Sequence, residues 1–173
     1  SPAAEQGRVA DVWRDRLALL LESTGEGIFG IDMAGCCVFV NRSAARQLGW
    51  PAEQIIGRNM HELIHHTHAD GRHYPECDCP IFNAFRQGLP CRIDDEVLWR
   101  ADGTAFYAEY SSHPIVEHGQ VQGAVVTFLD ISERRRAQEL QRVRELAQHQ
   151  ESVREAERTR IAREIHDELG SLL

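Results

Sequence analysis

Two stretches of the chain carry side chains that could do chemistry. The first closes it: in ERTRIAREIHDELGSLL, residues 157–173, His166 is followed directly by Asp167. Phosphoryl transfer to an imidazole needs a neutral ring nitrogen exposed in line with the donor phosphate. It also needs a carboxylate to hold the other N–H and fix the tautomer. Asp167 is the candidate carboxylate, and Arg160 and Arg163, within two helical turns upstream, could face a phosphate. A lone histidine on a helix is more often structural, so the neighbourhood has to carry the case.

The second stretch spans residues 61–79. His61, His65, His66, His68 and His73 are five of the nine histidines and fall within 13 residues, followed by Cys77-Asp78-Cys79. Imidazole and thiolate suit zinc, iron clusters or haem iron. If the loop folds back at Gly71, the H-x-H pair His66 and His68 and the C-x-C pair Cys77 and Cys79 would make a His₂Cys₂ metal set. That spacing is looser than the C-x₂-C of zinc fingers, and a second reading stands beside it. In that reading Tyr74, Pro75 and Pro80 build a rigid loop, the histidines are polar surface groups or satisfied hydrogen-bonders, and Cys79 is buried as a small hydrophobe. An iron–sulfur cluster usually wants four thiolates at shorter spacing than this chain offers.

These residues need elements to position them. Residues 8–22, RVADVWRDRLALLLE, have helical apolar spacing, so an amphipathic helix is expected within 1–22, ending at Thr24-Gly25-Glu26-Gly27. GIFGID (27–32) and CCVFVN (36–41) read as a hairpin around Met33-Ala34-Gly35. Residues 42–64 show helical spacing in pieces, punctuated by Pro51 and Gly57, which predicts short helices. Residues 65–80 lack periodicity and read as an ordered loop, followed by a short helix near 81–86. Strands are expected at 91–99, 104–113 and 121–129, with Cys36, Cys37 and Cys91 as strand residues. Strands, short helices and strands again in about a hundred residues indicate an α+β domain with an antiparallel sheet over 23–131.

From Ser132 neither Gly nor Pro occurs until Gly170, and Ser132 is placed to cap a long helix. Leu140, Val143, Leu146, Val153, Ile161, Ile165, Leu169 and Leu172 form a narrow apolar seam, interrupted at Gln150 and Glu157. A helix of about 40 residues with one such stripe is not buried by its own small domain, so a parallel coiled-coil linker over 132–156, pairing with a second copy, is expected. A solvated single helix or a disordered Arg/Glu run is the alternative.

The density of matching letters in the last stretch supports the chemistry. Arg158, Arg160, Ile161, Ala162, Arg163, Glu164, Ile165, His166, Asp167 and Gly170 resemble the phosphoacceptor box of two-component sensor histidine kinases, those that partner response regulators with helix-turn-helix output domains. The resemblance implies that His166 is autophosphorylated from ATP and that Asp167 is the acid/base that activates it. It also implies a homodimer built on a four-helix bundle, and onward transfer to a response-regulator Asp. Residues 157–173 would begin the first bundle helix. No phosphate-cradling glycine-rich segment occurs in the chain, so ATP is expected to bind a domain absent here and the chain is expected to be inactive alone.

Residues 15–136 resemble PAS sensor domains. LLESTGEGIFGIDMAGCCVFVNRSAARQLGW is similar to the family's opening strands and first helices, with Asn41 starting a helix. GAVVTFLDISERR is similar to its closing strand and Asp-Ile-Thr/Ser junction, carried by Asp130, Ile131 and Ser132. This implies a five-stranded antiparallel sheet with short helices, flanked by long N- and C-terminal helices. Asp130 is expected to cap or bridge strand and helix, or else to be a surface acid. Gly57-Arg58-Asn59-Met60 is similar to a stretch of flavin-binding light sensors whose adduct-forming Cys follows the Asn; with Met60 there, no cysteinyl adduct is expected, and the run reads as the end of a short helix.

Composition sets limits on these readings. Of 173 residues, 27 are acidic and 19 basic, for a net charge of −8. Ten Arg and 18 acids lie in 1–130 and nine of each in 131–173, so all net charge sits in the first part. An acidic globule repels a phosphate backbone, which argues against direct nucleic-acid binding. No window approaches the roughly 18 apolar residues of a membrane span, and the first 20 residues lack a signal peptide's apolar block. With five cysteines, an odd number, the chain is expected to be cytoplasmic, its thiols free or metal-bound. The expected function is a PAS sensor region controlling His166 in a homodimer. A metal- or haem-dependent redox or gas sensor and a ligand-free dimerisation module are the alternatives.

Overall fold

The computed structural model describes residues 12, 16, 17 and 19–173. The helix expected within 1–22 therefore lies largely outside the described residues, although 19–23 are helical. Five strands, β1 (Gly27–Asp32), β2 (Cys37–Val40), β3 (Cys91–Trp99), β4 (Ala105–Glu117) and β5 (Gln120–Asp130), form one sheet in the order β2-β1-β5-β4-β3. All neighbours are antiparallel. β1 lies between β2 and β5 and is nearly all buried, which is why it reads as an unbroken apolar run. In β4 and β5 burial alternates: Phe106, Ala108, Tyr110 and Ser112, and Ala124, Val126 and Phe128, face the core.

Both β4 and β5 extend past the ends expected from apolar patterning. The hairpin turn His118-Gly119 has positive φ at both residues (51° and 76°), as a two-residue type I′ turn requires, so pairing continues to Glu117↔Gln120. Its outermost rungs are exposed and carry no hydrophobic signal. Gly123 permits close strand approach, because a Cβ there would stand 2.0 Å from the Ile31 carbonyl oxygen.

Four short helices cover the inner sheet face: α1 (Arg42–Leu48), α2 (Ala52–Ile55), α3 (Met60–Ile64) and α4 (Pro80–Arg86), with a 3₁₀ turn at Glu76–Asp78. Leu48, Ile55, Leu63, Phe82 and Phe85 from these helices pack on Phe29, Phe106 and Phe128 of the sheet. Asn41 starts α1, its Oδ1 accepting from the Ala44 N–H (2.8 Å) and the Ile28 N–H (3.0 Å) while Nδ2 donates to the Leu21 and Glu26 carbonyls. Gly57-Arg58-Asn59 follows α2 and also opens α3, since Asn59 Oδ1 accepts from the Glu62 N–H. Pro80 occupies the first turn of α4, where its missing N–H costs nothing.

A 40-residue helix, α5 (Ser132–Ser171), follows the sheet, and Glu133–Leu173 form a separate compact unit. Ser132 is its first residue, and Asp130 Oδ1 accepts the Ser132 N–H at 2.9 Å. The Asp130 carboxylate thus satisfies the N–H of the helix's first residue. Its other oxygen pairs with Arg100 at 3.1 Å. Among the described residues, no helix is long and apolar enough to cross a membrane.

Candidate functional site

α3 sets the geometry of a buried polar cluster. His61 and His65 are four residues apart at the end of one helical turn, so their rings share a face. Their centroids are 5.3 Å apart, edge to face, and the residues are 5% and 3% exposed. Cys79, 1% exposed, precedes α4 and presents its thiol to the same spot: Sγ lies 3.4 Å from His65 Nδ1. One donor atom from each of His61, His65 and Cys79 lies within 4.8 Å of the others.

Glu96 completes the cluster from the sheet. The β3–β4 register shifts between Ile93 and Glu96, a bulge at Asp94-Asp95. That extra residue re-aims the strand, so Ile93 and then Glu96, three positions on, both turn inward. Glu96 Oε2 accepts from His65 Nε2 (2.6 Å) and the Tyr110 hydroxyl (2.6 Å), and Oε1 accepts from the Tyr74 hydroxyl (2.8 Å). His61 Nε2 is 2.7 Å from the Tyr74 carbonyl oxygen, and a carbonyl only accepts, so this nitrogen carries the proton. His61 Nδ1 is then a bare lone pair, buried and without a hydrogen-bond partner among the described residues.

The electrostatics follow from these contacts. Burial alone would push the Cys79 thiol up, but the His61 and His65 imidazoles beside it bring it down to about 6. Burial would likewise lower His65, yet its contacts with Cys79 and Glu96 raise it to about 9. Glu96, which burial would raise, is held at about 2 by His65, Tyr110 and Tyr74. Both tyrosine hydroxyls are raised by burial and by Glu96. At neutral pH the site is a thiolate, an imidazolium and a carboxylate in series. Such an order activates a thiolate, with the carboxylate orienting the imidazole.

A cavity of about 20 Å³ adjoins the cluster, lined by Met60, His61, His65, Cys79, Leu98 and Tyr110 among others. It has room for a water or an ion, not for a haem. A wider cleft of about 230 Å³, lined by His68, Asp70, Arg72, Tyr74 and Glu96, reaches His65 from the other side.

Of the four metal candidates read from the sequence, only Cys79 belongs to this group. His66 turns to the Thr67 hydroxyl (2.6 Å) and lies along Trp99, with ring centroids 5.7 Å apart. His68 stacks on Tyr74 at 3.9 Å, and Cys77 is exposed. The H-x-H and C-x-C pairs do not converge; His61 and His65 stand where His66 and His68 were expected. His166 and Asp167 lie on α5, both exposed, as is all of 133–173. Arg160, expected to face a phosphate, is engaged by Glu157 and Glu164 on its own helix.

A sheet in the order 2-1-5-4-3, short helices across one face and a site between them define a small sensory α+β domain. The family model described as PAS fold matches residues 15–131, and the chain belongs to that family. It is 29% identical over 124 residues to "Probable diguanylate cyclase DgcE" of Escherichia coli (strain K12), covering 71% of this chain and 11% of that protein. It is 33% identical over 113 residues to "Two-component system protein A" of Emericella nidulans, covering 64% of this chain and 16% of that protein. The chain thus spans less than a fifth of the length of either relative. Among solved structures, the PAS domain of an HTR-like protein from Haloarcula marismortui superposes with a TM-score of 0.59 at 18% identity, over 74% of this chain and 99% of that one.

Proposed function

We propose that this chain is the sensory region of a two-component sensor histidine kinase, in which the PAS domain controls phosphorylation of His166. A PAS domain alone does not dictate its output, as its relatives of different named activity illustrate. The reading therefore rests on one observation: the phosphoacceptor-like run from Arg158 to Gly170 lies on an uninterrupted helix that begins two residues after Asp130 and holds His166 exposed. Asp167 is the proposed acid/base, ATP is supplied by a domain outside this chain, and the phosphoryl group passes to an Asp of a response regulator with helix-turn-helix output. The protein works in the cytoplasm.

The apolar seam supports a homodimer. Leu140, Val143, Leu146, Val153, Ile161, Ile165 and Leu169 are each 43–59% exposed on α5, and a second copy would bury them. Gln150 and Glu157 weaken the seam, and a weak coiled coil suits two registers. A change in the PAS core would alter strand packing at Arg100 and Asp130, and through the chain the rotation or register of α5. In the full-length protein, His166→Gln abolishes phosphate uptake from labelled ATP while leaving folding intact. Retained labelling overturns the assignment.

A further inference from the structure

The buried cluster in the PAS core has the construction of a metal site with ligands different from those expected in the loop. A histidine that binds a metal through one ring nitrogen donates its other N–H to a carboxylate or a backbone carbonyl, which fixes tautomer and orientation. Both imidazoles here are held that way by the same nitrogen: His65 Nε2 by Glu96 at 2.6 Å and His61 Nε2 by the Tyr74 carbonyl at 2.7 Å. This leaves both Nδ1 atoms for the interior. One lies 3.4 Å from Cys79 Sγ, and the other, in a residue 5% exposed, has no partner among the described residues. An orphaned nitrogen in an otherwise well-packed core is destabilising unless something binds it.

The distances fit. Tetrahedral zinc with bonds of about 2.0–2.1 Å to nitrogen and 2.3 Å to sulfur separates its ligand atoms by about 3.3–3.6 Å. The His65–Cys79 edge is already there, and the trio, within 4.8 Å, need draw in by about an ångström. The adjoining cavity of about 20 Å³ leaves space for the ion or a fourth ligand, and the Met60 thioether is on its wall. For Zn²⁺ charge also closes: the Cys79 thiolate and the Glu96 carboxylate neutralise a divalent ion in the low-dielectric core, whereas Cu⁺ would leave one negative charge.

We propose that His61, His65 and Cys79 bind one thiophilic transition-metal ion of the Zn²⁺ or Cu⁺ kind, with Glu96 and the Tyr74 carbonyl orienting the two imidazoles. On binding, the ion takes the place of the proton between His65 Nδ1 and Cys79 Sγ, and that proton leaves to solvent. The cleft beside His68 and Asp70 gives the ion access. This inference does not depend on the chemistry of His166.

The test is titration of the metal-free 173-residue chain with Co²⁺ as a spectroscopic probe, followed by competition with Zn²⁺ and, under reducing conditions, Cu⁺. One ion per chain is expected, with a sulfur-to-cobalt charge-transfer band. Cys79→Ser removes the band, His61→Gln or His65→Gln weakens binding at least tenfold, and Glu96→Gln weakens it about 10–100-fold. Cys77→Ser, His66→Gln and His68→Gln leave it unchanged. Tighter competition by Zn²⁺ or by Cu⁺ identifies the ion. If a substituted chain does not fold, X-ray absorption of the zinc-loaded wild-type chain decides: one sulfur and two imidazole nitrogens support the site. Absence of stoichiometric binding, a coordination shell without sulfur, or loss of the band in Cys77→Ser instead of Cys79→Ser overturns it.

Discussion

Replacing His65 with Gln gives the most direct reading of the buried charge series. In the metal-free protein the Cys79 thiol ionises at about 6 because imidazoles beside it outweigh its burial. Gln is close to His in size and can still reach Glu96, but it carries no positive charge. With His65 removed, its hydrogen bond and its charge are lost while His61 remains, and the thiol rises from about 6 toward its ordinary 9.0. A full return would be roughly a thousandfold change in the ionisation equilibrium, on the order of 4 kcal/mol, and is the upper bound on the effect. The assay is ultraviolet thiolate absorbance against pH in chelator-treated protein, with Cys79→Ser subtracted to remove the other four thiols. Wild type shows a step near 6 and His65→Gln shows that step moved up toward 9. A step that stays near 6 without His65 refutes the series, and places the stabilisation of the thiolate elsewhere.

Glu96→Gln tests the other end. A carboxylate depressed to about 2 contributes stability that is present above 4.5 and lost as pH falls through 2. The gap in urea stability between wild type and Glu96→Gln is therefore full at pH 6 and closes between 4.5 and 2; a gap that widens on acidification contradicts the sign. The His65–Cys79 pair gives the opposite of a titration curve. Folded, it holds one proton from about 6 to about 9; unfolded, from 6.5 to 9.0, so it adds almost no pH dependence between 6.5 and 9. Asn41→Ala removes four hydrogen bonds from a side chain 1% exposed and should cost about 2–4 kcal/mol by denaturant unfolding. Ser112→Ala, whose buried hydroxyl has no partner among the described residues, should be neutral or stabilise by up to about 1 kcal/mol in the same assay. Gly123→Ala drives a Cβ into the Ile31 carbonyl and should destabilise by roughly 2–4 kcal/mol, with the β1–β5 ladder losing amide protection first.

The sheet was legible because its strands are short, alternating or fully apolar, and bounded by Gly and Asp turns. Asn41 and Asp130 were legible as helix-start residues because capping is local chemistry. The cluster was harder to read for a geometric reason. The sequence offers close pairs within one loop, but His61 and His65 are paired by a helical turn, and the loop that follows returns Cys79 to them 14 residues after His65. The His-x₃-His spacing at the end of a helical segment was the available signal. Glu96 left none: it is 31 residues from His65, and it faces inward only because a bulge at Asp94-Asp95 shifts the strand by one. Alternation alone would leave it on the opposite face from Ile93.

Control of phosphate chemistry at His166 by the PAS core is the step that joins the proposed sensor to its output. It is tested most directly by mapping and timing label from ATP in the full-length protein, wild type beside Cys79→Ser. Phosphate is expected on His166 in both, with initial rates that differ by about threefold or more. Label on any other residue, or equal rates in the two proteins, contradicts it.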